Sequence, residues 1–140
     1  MKDGAEMSIR YTSNIEFITK EALQELFLSV NWESGKYPNE LLQAIQNSHS
    51  IVAAWDGDRL FGLVNALSDG ILTVYFHYML IDPSYQGKGV GREMMTTMLE
   101  RYKEYKNKVL ISYPSAVEFY YKCGFSSEHG ATPMFISDLV

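Results

Sequence analysis

The chain has 140 residues, of which 46% are hydrophobic and 21% are charged, and its formal net charge is −5. These values are typical of one soluble globular domain, expected here over residues 1–140, and they argue against a nucleic-acid partner or a membrane-spanning segment. Cys123 has no second cysteine for a disulfide, and the first residues lack a secretory signal, which favours a cytoplasmic protein.

The N-terminal third predicts one strand and two helices. Residues 8–12 alternate in polarity like a short strand. Apolar residues recur at helical spacing from Ala22 to Val30 and predict a helix that Thr19 caps. The stretch 31–38 is interpreted as a loop, and a second helix is expected over residues 39–47.

Three strands are expected next. Residues 50–55 and 60–67 flank Asp56-Gly57-Asp58, whose Asp-Gly pair is a strong hairpin signal. A second turn at residues 68–70 leads into a strand over residues 72–81, which is rich in aromatic and β-branched side chains.

In the C-terminal half, the spacing of apolar residues changes from the alternation of a strand to that of a helix. Apolar residues at four-residue steps from Val90 to Tyr102 predict a long amphipathic helix. A strand over residues 109–113, a short helix over residues 115–123 and a strand-rich tail from Phe125 to Leu139 should follow. This order predicts an α/β fold with a mixed sheet flanked by helices, in which the strands on either side of the long helix are parallel.

A glycine-rich loop, Gln86-Gly87-Lys88-Gly89-Val90-Gly91, precedes the long helix. Glycines at alternate positions allow a tight turn and a close approach to a ligand. The helix N-terminus provides unpaired N–H groups and a positive dipole end, and Lys88 and Arg92 add cations, so the loop suits a phosphate. Its spacing matches neither a Walker-type loop nor a dinucleotide fingerprint. The loop alone is equally compatible with a simple strand-to-helix turn.

Two segments together resemble the GCN5-related N-acetyltransferase (GNAT) family. The segment from Ile81 to Gly91 is similar to the family's hydrophobic strand, proline-containing turn and Gln/Arg-x-x-Gly-x-Gly/Ala loop. The segment from Ala116 to Phe125 resembles the family's Ala-x-x-Phe-Tyr-x-x-x-Gly-Phe element, at the expected separation. The resemblance implies a single-domain GNAT fold with splayed central parallel strands, and acetyl-CoA as the cosubstrate.

In this family the coenzyme lies between the two splayed strands. The resemblance implies that backbone groups of Met79, Leu80 and Ile81 pair with the pantetheine arm. It also implies that backbone amides hold the pyrophosphate, over the residues Gln86, Gly87, Lys88, Gly89, Val90, Gly91 and Arg92. Tyr113 stands where many members have an asparagine, so one side-chain contact to the coenzyme lacks its usual residue.

Two residues are candidates for proton transfer. Tyr120 matches the family tyrosine that commonly protonates the leaving sulfur, and an aromatic ring packed at a helix end is the alternative. His77 matches a histidine that relays the proton of the amine in one branch of the family, and a hydrogen-bonded sheet histidine is the alternative. Because an alkyl ammonium has a pKa of about 10, a base must remove its proton at neutral pH. The oxyanion would take a backbone N–H near Met79 or Leu80.

The acceptor is expected to be a small-molecule amine. Trp32 and Tyr37 lie in the loop after the first helix, which helps to set acceptor choice in the family, although each could equally cover the core edge. The alternatives are a coenzyme-binding sensor without catalysis and a protein or peptide acetyltransferase. No metal is expected, because neither His49 nor His129 has metal-ligand spacing. A homodimer is a further expectation, since small family members often pair.

Overall fold

The elements of the computed structural model follow the predicted order as far as the short helix, over the described residues 7–128 and 130–139. Residues 1–6, His129 and Val140 lie outside that range. The strands are β1 (Ile9–Thr12), β2 (Ser50–Asp56), β3 (Arg59–Ser68), β4 (Thr73–Ile81) and β5 (Asn107–Leu110). The helices are α1 (Lys20–Ser29), α2 (Pro38–Gln46), α3 (Val90–Arg101) and α4 (Val117–Lys122). None of the helices described has the length and apolar character needed to cross a membrane.

The strands form one sheet in the order β1-β2-β3-β4-β5. Neighbours from β1 to β4 are antiparallel, whereas β5 runs parallel to β4 after the α3 connection, as predicted. The predicted hairpin is confirmed, because Asp56 pairs with Arg59 and Gly57 has a φ of 58° in the turn. The predicted cap is confirmed as well, since the Thr19 side chain accepts the Ala22 N–H at 3.1 Å.

Two apolar cores lie on opposite sides of the sheet. On the side that we call the α1 face, α1 and α2 bury residues such as Phe27 and Ile45 against the strands. On the other side, the α3 face, the fully buried Met94 and Met98 of α3 fill the core, and Phe119 of α4 packs against them. The expected α/β fold with helices on both faces is therefore observed.

Two predictions near the C-terminus are wrong. The last strand is Asn107–Leu110 instead of residues 109–113, because the Asn107 N–H already donates to the Leu72 carbonyl at 3.0 Å. The strand-rich tail expected from Phe125 to Leu139 is also wrong, since the described residues of this segment form no strand. Gly130 takes a left-handed φ of 88°, and Pro133 has no N–H for a ladder, so the local chemistry opposes a continuous strand.

A β-bulge interrupts the pairing of β3 with β4. The pairs on either side of it are Val64–Met79 and Ala66–Phe76. Between them, His77 and Tyr78 of β4 both lie opposite the single residue Asn65 of β3. A bulge of this kind leaves one backbone group without its ladder partner, and that group must bond elsewhere when it is buried.

The side chain of Asn65 replaces the missing ladder bond. Asn65 is only 1% exposed. Its Oδ1 accepts the Tyr78 N–H at 2.7 Å, and its Nδ2 donates to Ser48 Oγ at 3.0 Å. Both polar groups of this buried amide are therefore bonded, and the bulge is held at one register.

The bulge also changes which residues of β4, even-numbered or odd-numbered, direct their side chains to the α3 face. Before it, Val74 and Phe76 belong to the core of the α3 face. After it, Met79 and Ile81 take that side, while Tyr78 packs on the α1 face. An unbroken strand alternates strictly, so this change of side requires the extra residue.

We predict that Asn65→Ala lowers the free energy of unfolding by about 2 kcal/mol, because the Tyr78 N–H loses its only described acceptor. Urea denaturation measures the change. Asn39→Ala is the matched control, since Asn39 is exposed and its side chain, among the described residues, bonds to an exposed lysine, and it should shift stability by less than about 0.5 kcal/mol. Equal effects of the two variants would contradict the role of Asn65.

Candidate active site

A gap opens between β4 and β5 halfway along β4. Their pairing runs from Thr73–Asn107 to Phe76–Leu110 and then stops. β4 continues to Ile81, whereas the described chain after Leu110 forms no further strand. The edge of β4 beyond the bulge is therefore open on the β5 side, which is the predicted splay.

Backbone groups of Met79 and Ile81 face this gap. The Asp82 N–H donates to the Phe61 carbonyl at 2.8 Å, and hydrogen-bonded pairs alternate along an antiparallel ladder. Leu80 is consequently bonded to β3, while the N–H and C=O of Met79 and Ile81 point away from β3. One of them has a partner, because the side chain of Gln86 donates to the Ile81 carbonyl at 3.2 Å.

The glycine-rich loop presents free backbone N–H groups beside the gap. Gly87 and Gly89 have φ angles of 79° and 77°, a left-handed conformation that glycine adopts without strain. Within the described chain, no acceptor is bonded to the backbone N–H groups from Gly87 to Arg92. These donors and the positive end of the α3 dipole converge, which is an arrangement suited to a phosphate.

Gly91 joins the loop to the gap. A Cβ at this position would lie 3.0 Å from Met79 Cε, 3.2 Å from Ile81 Cδ1 and 3.3 Å from Phe119 Cζ. The first turn of α3 therefore packs closely against the open part of β4 and against α4. The N-terminal end of α3, which carries the last of the loop donors, therefore lies beside the open part of β4.

Polar contacts fix the turn that precedes the loop. Asp82 accepts hydrogen bonds from the backbone and side chain of Ser84 at 3.0 and 2.8 Å and pairs with Arg59. Burial opposes ionisation of Asp82, but these bonds outweigh it and keep the pKa of the carboxyl below its usual value. Tyr85 donates to Asp56 at 2.7 Å in the same region. The carboxylate of Asp82 is thus already bonded to Ser84 and Arg59, and its lowered pKa makes it unsuited to serve as a base.

Tyr120 lies on α4, with its ring partly buried at the core of the α3 face. Its ring contacts Phe119 and Phe125 at centroid distances of 5.1 and 6.0 Å. Burial, reinforced by the nearby Cys123, raises the pKa of Tyr120 to about 12. The phenol therefore keeps its proton at neutral pH. Burial also raises the pKa of the Cys123 thiol, which favours an unreactive thiol over a nucleophile.

His77 lies on the α1 face. Its ring stacks on Tyr78 at 4.0 Å and lies 5.4 Å from Tyr75. These neighbours partly remove the imidazole from water and lower the pKa of His77 below its usual 6.5, so the ring is neutral at pH 7. His77 and Tyr120 are therefore on opposite faces of the sheet, one on each side of the gap.

The two predicted acceptor residues differ in their described ring contacts. Trp32 contacts Tyr78 and Tyr113, each at a centroid distance of 6.1 Å. Tyr37 makes none of the ring contacts described, and its carbonyl accepts the Leu41 N–H at the start of α2. Sequence analysis missed the contact of Tyr113 with Trp32, because it considered Tyr113 only as a departure from a coenzyme ligand.

Known sequences identify the family. The sequence model of the acetyltransferase (GNAT) domain matches residues 9–132. The chain belongs to the GNAT family. A GNAT-family acetyltransferase from Streptococcus pneumoniae is similar in structure, with a TM-score of 0.78 and 28% identity, and the match covers 95% of this chain and 98% of that one.

Several curated relatives are longer than this chain. An uncharacterized ycf52-like N-acetyltransferase from Prochlorococcus marinus is 30% identical over 76% of this chain, which spans 62% of that protein. A ycf52 N-acetyltransferase from Porphyra purpurea is 28% identical over 95% of this chain and 80% of its own length. The soybean protein named histone acetyltransferase TAP1 is 31% identical over 81% of this chain, which spans only 54% of it.

We predict that the His77 imidazole titrates below pH 6.5, because its surroundings disfavour the charged form. NMR titration of the ring protons measures this pKa, and His77→Gln identifies the signal among the three histidines. The fraction of His77 that is neutral should fall as the pH drops through that pKa, and the rate of any step that needs the neutral imidazole should fall with it. A pKa above 6.5 would contradict the partial desolvation.

Proposed function

We propose that this GNAT chain transfers an acetyl group from acetyl-CoA to the primary amine of a small molecule. One observation supports this function above the others. The open edge of β4 lies beside the free N–H groups from Gly87 to Arg92, because Gly91 packs closely against the side chains of Met79 and Ile81. An extended ligand with amide groups at one end and a pyrophosphate at the other matches this surface.

The residues present suit the coenzyme. Met79 and Ile81 would pair with the amides of the pantetheine arm through their backbone groups, and Leu80 would keep the strand in register by its bonds to β3. The amides from Gly87 to Arg92 would bind the pyrophosphate, and the exposed Lys88 and Arg92 would add positive charge. When bound, acetyl-CoA supplies the thioester that the amine attacks.

The two proton transfers of the proposed reaction would use residues on opposite faces of the sheet. The neutral His77 would accept the proton that the ammonium must lose before attack. The Met79 N–H would donate to the oxygen on which negative charge develops. Tyr120 would donate its proton to the departing sulfur, since the phenol is protonated at neutral pH.

We predict that Tyr120→Phe lowers kcat by about 100-fold, since it removes the acid while leaving the ring in place. Steady-state kinetics with acetyl-CoA and an amine measure the loss, and calorimetry should show unchanged coenzyme binding. Tyr121→Phe is the matched control, because that neighbouring hydroxyl bonds to Ser127 at 2.6 Å on the exposed side of α4. A fully active Tyr120→Phe enzyme would exclude this tyrosine as the acid.

The same experiment separates the alternatives. A catalytically inactive sensor would bind acetyl-CoA yet consume no thioester with any amine or peptide. A protein or peptide acetyltransferase would consume it only with a polypeptide acceptor. Failure to bind acetyl-CoA would overturn the proposed function itself.

We predict that Gly89→Ala weakens acetyl-CoA binding at least about tenfold, since a side chain at its φ of 77° displaces the loop amides. Calorimetric titration gives the dissociation constant. Gly57→Ala is the control, because Gly57 has a φ of 58° and an equally open surrounding but lies in the β2–β3 turn. Both variants should lose about 1 kcal/mol of stability, and only the first should lose affinity. Equal affinities would argue against the loop as the pyrophosphate site.

A further inference from the structure

The exposed part of the glycine-rich loop lies between two buried residues. Residues 86–89 are exposed, whereas Tyr85 before them and Val90 after them are buried. A Cβ built on Gly87 or Gly89 would meet no heavy atom within 4 Å, so neither glycine is held by packing. Glycine also restricts its own backbone less than other residues do. The positions of the loop amides therefore depend on how firmly the two ends of the loop are held.

The end of the loop that enters α3 is held by apolar packing. Val90 is 2% exposed and belongs to the core of the α3 face. Gly91, the next residue, packs closely against Met79 and Ile81 of β4. This end is therefore fixed by contacts of the helix with the core and with the strand.

The opposite end of the loop is held by the side chain of Tyr85. Its ring stacks on Phe61 of β3, with the two centroids 4.0 Å apart and an interplanar angle of 19°. The Arg59 guanidinium lies over the same ring, 5.7 Å from its centroid. The Tyr85 hydroxyl donates to Asp56 Oδ2 at 2.7 Å. Tyr85 is thus fixed by stacking and by a hydrogen bond to a carboxylate, which is one of the stronger kinds.

Asp56 connects this anchor to the N-terminal strand. It is the last residue of β2 and is only 7% exposed. Its Oδ1 accepts the Ser8 N–H at 3.1 Å, while its Oδ2 accepts the Tyr85 hydroxyl. The bond to Asp56, reinforced by burial, raises the pKa of Tyr85, so the phenol keeps its proton and remains a donor at neutral pH. A carboxylate removed from water needs such donors, which favours one arrangement of these groups.

We propose that the Tyr85–Asp56 hydrogen bond positions the loop amides for the pyrophosphate, so that Tyr85 is a positioning residue for acetyl-CoA. This inference rests on the proposed function and adds two residues that act through the loop. A loop that is already ordered binds more tightly, because the ligand does not have to order the chain. When the bond is lost, only a fraction of the molecules keeps the loop in its binding position, and the apparent affinity falls by that fraction.

The test measures binding and turnover of acetyl-CoA by the Tyr85→Phe enzyme. We expect the dissociation constant and the KM for acetyl-CoA to rise about tenfold, which corresponds to a binding-competent fraction of about one tenth. The kcat at saturating acetyl-CoA should be unchanged, because Tyr85 takes no part in the chemical step. With S-acetylpantetheine, which lacks the pyrophosphate, kcat/KM should equal that of the wild-type enzyme. A general loss of structure would instead lower kcat/KM for both thioesters.

Tyr102→Phe is the matched control. Tyr102 is 1% exposed, and its hydroxyl bonds to Ser50 at 2.6 Å and to His49 at 2.7 Å, beyond the C-terminal end of α3. Both substitutions remove a buried hydroxyl and keep the ring, so both should lower the free energy of unfolding. Only Tyr85→Phe should weaken acetyl-CoA binding. Equal affinities in the two variants, or an equal loss with both thioesters, would overturn the inference.

A double-mutant cycle with Gly89→Ala tests whether the effect passes through the loop. In the Gly89→Ala protein the amides are already displaced, so Tyr85→Phe should weaken acetyl-CoA binding by much less than its effect in the wild-type protein. Losses that multiply fully would mean that the two residues act independently, which contradicts the proposal.

NMR relaxation separates this inference from the proposed function, because it needs no ligand. The backbone amide order parameters of Gly87 and Gly89 should fall in Tyr85→Phe and keep their wild-type values in Tyr102→Phe. If the wild-type protein does not bind acetyl-CoA, the proposed function fails, but this comparison still decides whether Tyr85 holds the loop. Unchanged order parameters in Tyr85→Phe would exclude that role.

Discussion

The bond from the Tyr78 N–H to Asn65 Oδ1 is the interaction on which the rest of the site depends. It holds an extra residue in β4 at the point where β5 departs. Because the bulge changes the parity of the strand, the backbone groups that face β5 belong to Val74 and Phe76 before it and to Met79 and Ile81 after it. Without that shift, the open edge of β4 would present a different set of donors and acceptors to the gap.

The same shift also determines which side chains of β4 lie on each face of the sheet. His77 and Tyr78 stack together on the α1 face because both lie opposite a single residue. Met79 and Ile81 turn toward α3 and pack close to Gly91. The neutral imidazole thereby lies on the α1 face beside Tyr78, whereas the phenol of Tyr120 lies among the side chains of the α3 face. In the proposed reaction, this separation would let His77 act as the base and Tyr120 as the acid without a direct exchange of a proton between them.

The sequence predicted the elements that depend on local patterns. Helical spacing located α1 and α3, the Asp-Gly pair located the β2–β3 hairpin, and the glycine-rich loop was placed before α3. The bulge was not predictable, because it depends on a side-chain amide on one strand reaching the backbone of the next. The end of β5 and the irregular tail were predicted wrongly for a related reason, since strand propensity says nothing about whether a neighbouring edge is present.

The contact of Tyr113 with Trp32 shows the same limit within the candidate site. The two residues are far apart in the sequence, and their rings meet beyond the point where the pairing of β4 with β5 ends. Periodicity and motif spacing describe neighbours along a chain, so a contact of this kind has no local signal. Tyr37, which is much closer to Trp32 in sequence, makes no such contact.

The free amides of the loop have a consequence for how such a protein can diverge. Main-chain donors are supplied by every residue except proline, so substitutions at positions such as Lys88 leave the donor pattern intact as long as the glycines keep the turn. The ring contacts of Trp32 with Tyr78 and Tyr113, in contrast, are made by side chains, and a substitution there alters the shape of the surface. Under the proposed function, cosubstrate binding would depend on main-chain donors, whereas the surface offered to an acceptor would depend on side chains. A point mutation among those rings would then change the acceptor surface and leave the main-chain donors of the loop as they are.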